Sequence, residues 1–318
     1  MKEPDIIICP VCKYNKTNIW ATARDVEYFT TLDVYTYYKC NNCNTVFLFP
    51  VPENELKTIY PPNYYSFQPG NKNWAVRIKE WLDKRLFKKI LKQIKTNQLK
   101  ILDVGGGTGW LCDLLKTLDN RIILTQIADI DSLAKKTAEE KGHQFFEGKI
   151  EDFNTDVQFD FILLLNLLEH VAHPDYLLQK LEKMLTPEGI ILIKTPNINS
   201  IDARIFKNTY WGGLHCPRHW IIFSENSFRK TLEKSTLFIK RLWYTQGSPF
   251  WAFSIIAALT RKGILKTDKY RPVIYHLFFL LSAHCLLFLI LFEDRLRKLH
   301  RCLLLLQKIF QRIDFIKN

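Results

Sequence analysis

The opening residues do not read as an apolar leader, and none is expected. Met1-Lys-Glu-Pro-Asp5 is followed by only four apolar residues, Ile6 to Cys9, short of the apolar stretch a signal peptide needs. The expectation is a chain that starts in the cytosol, where its eight cysteines are thiols or metal ligands rather than disulfides. Two phosphate-binding fingerprints are also missing. No Gly-Lys-Ser/Thr follows its glycine-rich turn, which excludes a phosphate loop. Read from Gly105, the third glycine of G-x-G-x-x-G would fall at Trp110, so the dinucleotide pattern fails too. Nor does any run of the Asn-Pro-Pro-Tyr type, used on flipped bases, follow the apolar run that ends at Asn166.

The glycine turn itself is the centre of the chain. Leu99 to Val104 has the length and apolarity of a buried parallel strand. Asp103 precedes four glycines, Gly105, Gly106, Gly107 and Gly109, and Trp110 to Leu118 then shows helical spacing. Strand, glycine turn and helix N-terminus let a ligand approach the backbone closely. Asp103 would repel a phosphate, so it suits a ligand that carries an ammonium group. A second strand, Ile122 to Asp129, ends in an acid 24 residues past Gly105, where a carboxylate can accept both hydroxyls of a ribose.

Phe159 to Asn166 reads as the next long strand. Leu168-Glu-His-Val-Ala-His-Pro174, a helix to Leu185, Thr186-Pro-Glu-Gly189 and a strand from Ile190 to Asn197 follow it. Together these segments resemble the class I S-adenosylmethionine-dependent methyltransferases, and the run 159–197 is similar to their ubiquinone-biosynthesis-type branch. The resemblance covers residues 99 to about 250. It implies an α/β fold, a Rossmann-like sheet with S-adenosylmethionine as cofactor. It places Asp103, Gly105, Gly107, Gly109, Asp129, Ile150, Glu151 and Asn166 at the cofactor. Ile150 would pack on the adenine ring, and Glu151 or Asp152 would accept its amino group.

Ahead of that region stand two C-x2-C pairs, Cys9/Cys12 and Cys40/Cys43, with 27 residues between them. Two such turns make a tetrahedral four-sulfur site, closed to other ligands and hence structural. The expectation is one zinc ion in a zinc ribbon. Tyr60-Pro-Pro-Asn-Tyr-Tyr65 after it, and Gln246 to Trp251 later, resemble methyltransferases linked to bacterial glycan biosynthesis. In that reading Tyr64 and Tyr65 close over the ligand; an ordered linker explains them equally well. Trp74 to Lys95 reads as an amphipathic helix, with Trp74, Ile78, Trp81, Leu82, Leu86, Ile90 and Ile94 on the apolar face that covers the sheet.

Trp211-Gly-Gly-Leu-His-Cys-Pro-Arg-His219 reads as a flexible turn beside the substrate mouth. A hydroxyl acceptor needs a base, and histidine has the near-neutral pKa for it. His219 ranks first, then His215, then His170. Cys216 with His215 and His219 offers three metal donors and no fourth. Ser224 caps a helix from Glu225 to Lys234, and Phe238 to Tyr244 reads as the sixth strand.

The net charge of +13 is concentrated at one end: residues 239–318 hold 14 Lys/Arg against 4 Asp/Glu, a local +10. Val273 to Phe292 is 20 residues without a charge, long enough to span a bilayer. Cations flank it on both sides, so it carries no orientation signal. The competing reading is a buried helix ahead of the seventh strand. Cys302 to Gln307 is either that strand or the continuation of a helix. The expected division is 1–50 zinc ribbon, 51–98 linker and covering helix, 99–250 methyltransferase domain, and 251–318 a helical, basic and apolar segment. The expected activity is O-methylation of a sugar, glycan, lipid-linked or other small-molecule acceptor. The expected location is cytoplasmic, with membrane contact through the C-terminal segment, peripheral to or embedded in the inner face. A nucleic-acid methyltransferase and a non-catalytic cofactor-binding scaffold are the alternatives. Nucleic acid is disfavoured because it would not require a long apolar run beside the cations.

Overall fold

The computed structural model describes residues 6–61, 74–208, 210–245, 248–270, 273 and 301–308. At its N-terminal end lie the strands β1 (Thr17–Ala23), β2 (Tyr35–Cys40) and β3 (Val46–Leu48), then a short helix α1 (Leu56–Ile59) and a long one, α2 (Trp74–Leu91). The main unit alternates β4 (Leu99–Val104), α3 (Trp110–Lys116), β5 (Ile122–Asp129), α4 (Ser132–Glu140), β6 (Gln144–Glu147), β7 (Phe159–Leu165), α5 (Pro174–Met184) and β8 (Leu185–Pro196). It continues through α6 (Ile201–Phe206), β9 (Ile221–Ile222), α7 (Glu225–Thr231), β10 (Leu237–Thr245), α8 (Ser248–Arg261) and β11 (Arg301–Lys308).

Seven strands form the main sheet in the order β10-β11-β8-β7-β4-β5-β6. β4, β5, β6, β7 and β8 run parallel, and β11 is antiparallel to both of its neighbours. After β4 the chain builds outward to β5 and β6, then returns to lay β7 on the other side of β4. That reversal opens a crevice at the carboxyl ends of β4 and β7, where open α/β sheets bind ligands.

The strands read as continuous apolar runs because both faces are covered. Leu99 and Ile101 face one side, with Phe87, Ile90 and Leu91 of α2 and Leu111, Leu114 and Leu115 of α3. Leu102 and Val104 face the other, with Leu177, Leu178 and Leu181 of α5. The period of two along β4 thus assigns each residue its helix layer. Arg121 ties α2 to this framework: its guanidinium donates to Leu91 O, Ile94 O and Thr96 O at 3.0, 2.9 and 2.8 Å. It satisfies carbonyls at the helix end that would otherwise lack partners.

Several expectations change. The seventh strand exists, at 301–308, so the sheet does not close at residue 250. The ribbon is not closed at residue 50 either. β9, from inside the 99–250 span, pairs with β3 in a four-stranded sheet, order β1-β2-β3-β9. Tyr37, Val46, Phe47 and Leu48 join the same apolar core as Ile162 and Leu164. The reason is burial: three strands this short leave an apolar face that only the larger unit can cover. On α2, Trp81 and Leu82 are 54% and 38% exposed, while Phe87 and Leu91 are buried. Of the expected face, Ile90 and Ile94 are buried and Leu86 packs against the core, while Phe87 and Leu91 join the buried side. Tyr64, Tyr65 and residues 274–292 lie outside the described residues. Among the described residues, no helix is long and apolar enough to cross a membrane.

Candidate active site

The glycine turn sits at the carboxyl end of β4 and ends at Gly109, the N-cap of α3. Gly105 N–H donates to Ala128 O at 2.8 Å and joins the turn to β5. Gly107 has φ +50° and open space where a Cβ would stand. Its N–H donates to Asp129 Oδ2 at 2.8 Å. Gly109 has φ +76°, and a Cβ there would stand 2.4 Å from His143 Cδ2. Both positions need glycine, the first for its backbone angle alone and the second for space as well.

Asp103 and Asp129 end neighbouring strands on either side of this turn. Asp103 is buried, and burial, with the Asp129 charge added, raises its carboxyl to about 7. Burial also raises Asp129, against N–H donors from Asp131 and Gly107 that favour its charged form. Two carboxylates held close in a dry site make a strong attractor for a cation. Ile150 is buried in a short 3-10 turn, Ile150–Asp152, after β6; Glu151 beside it is partly buried. Asn166 follows β7 with φ +60°, an uncommon backbone for a residue other than glycine. Its N–H donates to Lys194 O at 2.8 Å. Its side-chain Oδ1 is shielded from solvent and takes no hydrogen bond among the described residues. A buried carbonyl oxygen of that kind is a ready acceptor for a ligand N–H or ammonium.

The three candidate histidines come together. The His170 ring lies 4.6 Å from that of His219, and His215 lies 5.0 Å from His219, centroid to centroid. His170 is reached through a 3-10 turn, Leu168–His170, directly after β7. Burial, with the His215 charge added, holds its ring down to about 3, against carbonyls of Arg218 and Asn166 that favour the protonated form. The ring is therefore neutral at ordinary pH. His219 Nδ1 donates to Gly213 O at 2.8 Å, so its proton sits on that nitrogen. One donor atom each from Glu169, His170 and His219 lies within 4.8 Å of the others.

The surroundings correct the reading of this stretch as a flexible turn. Trp211 is buried and donates from Nε1 to Asp202 Oδ2 at 2.7 Å. Gly212 N–H donates to Ser254 Oγ of α8 at 2.9 Å. A Cβ on Gly213 would stand 2.2 Å from the Trp211 ring. The glycines serve close packing. Cys216 is buried beside Tyr37, and burial pushes its thiol up. The donor partners of His219 are thus Glu169 and His170 rather than Cys216.

The loop between β1 and β2 and the end of α1 supply residues that spacing did not single out. His215 Nδ1 is hydrogen-bonded to Glu27 Oε2 across 188 positions of sequence. Arg218 pairs with Asp25 at 2.9 Å, donates to Ile59 O, and lies 4.7 Å from the centre of the Tyr28 ring. Burial alone would raise Asp25, but the guanidinium outweighs it and holds the carboxyl below its ordinary value. Tyr60 Oη is 2.8 Å from His170 Nδ1. Arg218 is thereby spent on holding the ribbon to the larger unit. His143, behind Gly109, was missed as well, since nothing in sequence marks a histidine 34 residues from the turn it touches.

The four ribbon cysteines also converge. Cys9 and Cys43 bring their sulfurs to 3.7 Å, and Cys12 and Cys40 to 3.5 Å. A tetrahedron with 2.3 Å zinc–sulfur bonds has edges of about 3.8 Å, so the donor set fits zinc. Asn42 N–H donates to Cys40 Sγ at 3.4 Å, a contact that orients and stabilises a thiolate.

Comparison with known proteins agrees with this geometry. Residues 76–237 match the methyltransferase domain family. The ubiquinone biosynthesis O-methyltransferase of Bradyrhizobium diazoefficiens is 29% identical over 104 residues, 32% of this chain and 41% of that protein. The malonyl-[acyl-carrier protein] O-methyltransferase of Calditerrivibrio nitroreducens is 28% identical over 135 residues, 42% of this chain and 52% of that protein. The matches thus span about half or less of these relatives' length. Coclaurine N-methyltransferase, solved with N-methylheliamine and S-adenosylhomocysteine, superposes with a TM-score of 0.50 at 14% identity, covering 77% of this chain and 78% of that one. At that identity it speaks for the fold alone. With its parallel sheet, its glycine turn after β4 and a family match over half its length, this chain belongs to the methyltransferase domain family.

Proposed function

We propose that the chain is an S-adenosylmethionine-dependent methyltransferase that acts on a hydroxyl of a small, glycan- or lipid-linked acceptor. The observation that carries this is the paired carboxylates, Asp103 and Asp129, flanking the glycine turn at the crevice of the sheet. The cofactor supplies an activated methyl on a sulfonium. Asp103 and Asn166 Oδ1 hold its ammonium, Asp129 its ribose hydroxyls, and Ile150 with Glu151 its adenine. A base must reach the acceptor hydroxyl. His215 and His219 are 4% exposed, whereas His170 is only partly buried and lies next to Asn166. His170 is therefore the histidine an acceptor hydroxyl can reach, as a neutral hydrogen-bond acceptor rather than a strong base because its ring is held down to about 3, with His219, Glu169 and His215 packed behind it. Zinc in the ribbon is structural. The +10 charge of residues 239–318 favours contact with an anionic membrane, about 1 kcal/mol per cation near the surface.

Labelled methyl transfer into a cell-envelope extract, set against transfer into RNA, tests the activity. Label in the envelope fraction alone is expected. Label in RNA alone overturns the acceptor class. Cofactor binding without transfer to either overturns catalysis.

The Asp103 carboxyl gives the site a pH dependence. Its folded value is raised, so in the ligand-free protein its stabilising share is lost as pH rises through about 7. Ligand binding has the opposite sign, because only the carboxylate attracts an ammonium. Affinity for S-adenosylhomocysteine should be full above pH 7 and fall about tenfold per pH unit below it. Titration calorimetry should show that limb in the wild type and its loss in Asp103→Asn.

A further inference from the structure

The cofactor turn is braced by groups that no step above uses. His143 lies in the bend ahead of β6, and its side chain is wholly buried. Its Nδ1 is 2.8 Å from Thr125 Oγ1 of β5 and 3.4 Å from Lys116 Nζ of α3. Its Nε2 is 3.0 Å from Asp113 Oδ1, in the first turn of α3. An ammonium only donates, so Nδ1 presents its lone pair and the proton sits on Nε2, donated to Asp113. Two residues earlier, Lys141 Nζ donates to Thr108 O at 2.9 Å and pairs with Asp113 Oδ2 at 3.0 Å. Asp113 N–H in turn donates to Gly109 O at 2.9 Å. The bend 141–143 therefore grips Thr108, Gly109 and the start of α3. Gly109 has no free space on that side, since a Cβ would also meet Ile127 Cδ1 at 2.9 Å.

A turn with four glycines in five residues has more backbone freedom to lose than any other sequence. If a ligand had to order it, that entropy would be subtracted from the affinity. We propose that His143 and Lys141 are positioning residues for the cofactor, holding the glycine turn and the N-terminus of α3 in the binding geometry before the ligand arrives. The inference rests on the reading of this turn as the cofactor site. Neither residue touches the ligand in this role; both act through Thr108, Gly109 and Asp113. A histidine that merely filled space would be replaced by any side chain of similar volume. A positioning histidine requires an N–H donor to Asp113.

The experiment is calorimetric titration of the full chain with S-adenosylhomocysteine. The wild type is compared with His143→Gln, His143→Leu and Lys141→Met, each checked for folding by circular dichroism. The expected result is affinity about tenfold weaker in His143→Leu, about threefold weaker in Lys141→Met, and within about twofold of wild type in His143→Gln, whose amide restores the donor. Should the buried Leu variant not fold, the solvent-exposed Lys141 decides the matter alone. Wild-type affinity in Lys141→Met and His143→Leu would overturn the proposal. So would a His143→Gln protein as weak as the Leu variant. Absence of binding by the wild type would instead overturn the cofactor reading beneath it.

Discussion

Cys40→Ser should leave the chain without stoichiometric zinc and lower its melting temperature by more than about 5 °C. Binding of a structural zinc by small four-ligand sites contributes about 10–16 kcal/mol, and losing one thiolate of four removes much of that. The effect should pass beyond the ribbon. β3 pairs with β9 through Val46–Ile222 and Phe47–Ile221, and Leu48 N–H donates to Trp220 O at 2.8 Å. Ser224, which caps α7, has its Oγ 3.4 Å from Cys43 O. A loosened ribbon thus reaches the stretch that carries His215 and His219, and near-ultraviolet circular dichroism should report it. Metal analysis of chelator-free protein is the primary measurement. A Cys40→Ser protein with full zinc and an unchanged melting temperature would refute the site.

Asp129→Ala should weaken S-adenosylmethionine binding about 100-fold or more. Two hydrogen bonds from ribose hydroxyls to a carboxylate contribute about 1.5–3 kcal/mol each. The substitution also frees Gly107 N–H, which now donates to Asp129 Oδ2 at 2.8 Å, so the turn loses a restraint along with the ligand's acceptors. Asp129→Asn, which keeps one acceptor oxygen, should fall between. Calorimetry giving unchanged affinity in Asp129→Ala would remove the ribose assignment.

These two effects rest on features of different legibility. The cysteine pairs and the strand-end acids are local patterns. A C-x2-C turn places two thiolates by its own geometry, and an acid that ends an apolar strand points to the sheet edge whatever lies around it. Ser224 could likewise be named as a cap from one residue and its neighbours, and a capping box with Ser227 is what forms. The start of the covering helix was readable too. Its buried side was readable in part: Ile90 and Ile94 of the expected stripe are buried, but Trp81 and Leu82 are exposed and Phe87 and Leu91 join the buried side.

The sequence by itself determined the parallel strands, the glycine turn with Asp103 and Asp129, and the two cysteine pairs, since each is encoded within a few residues and needs no distant partner. Tertiary structure alone decided the rest. Arg301–Lys308 is a strand because β8 and β10 offer it two open edges; its apolar run suits a helix equally well. Trp211-Gly-Gly is packed tight because Asp202 and Ser254 lie against it. Glu27 meets His215 and Asp25 meets Arg218 across more than half the chain. Charges and hydrogen-bonding groups placed that far apart carry no periodicity, so only folding, which buries them together and makes an unpaired one costly, brings them into one site.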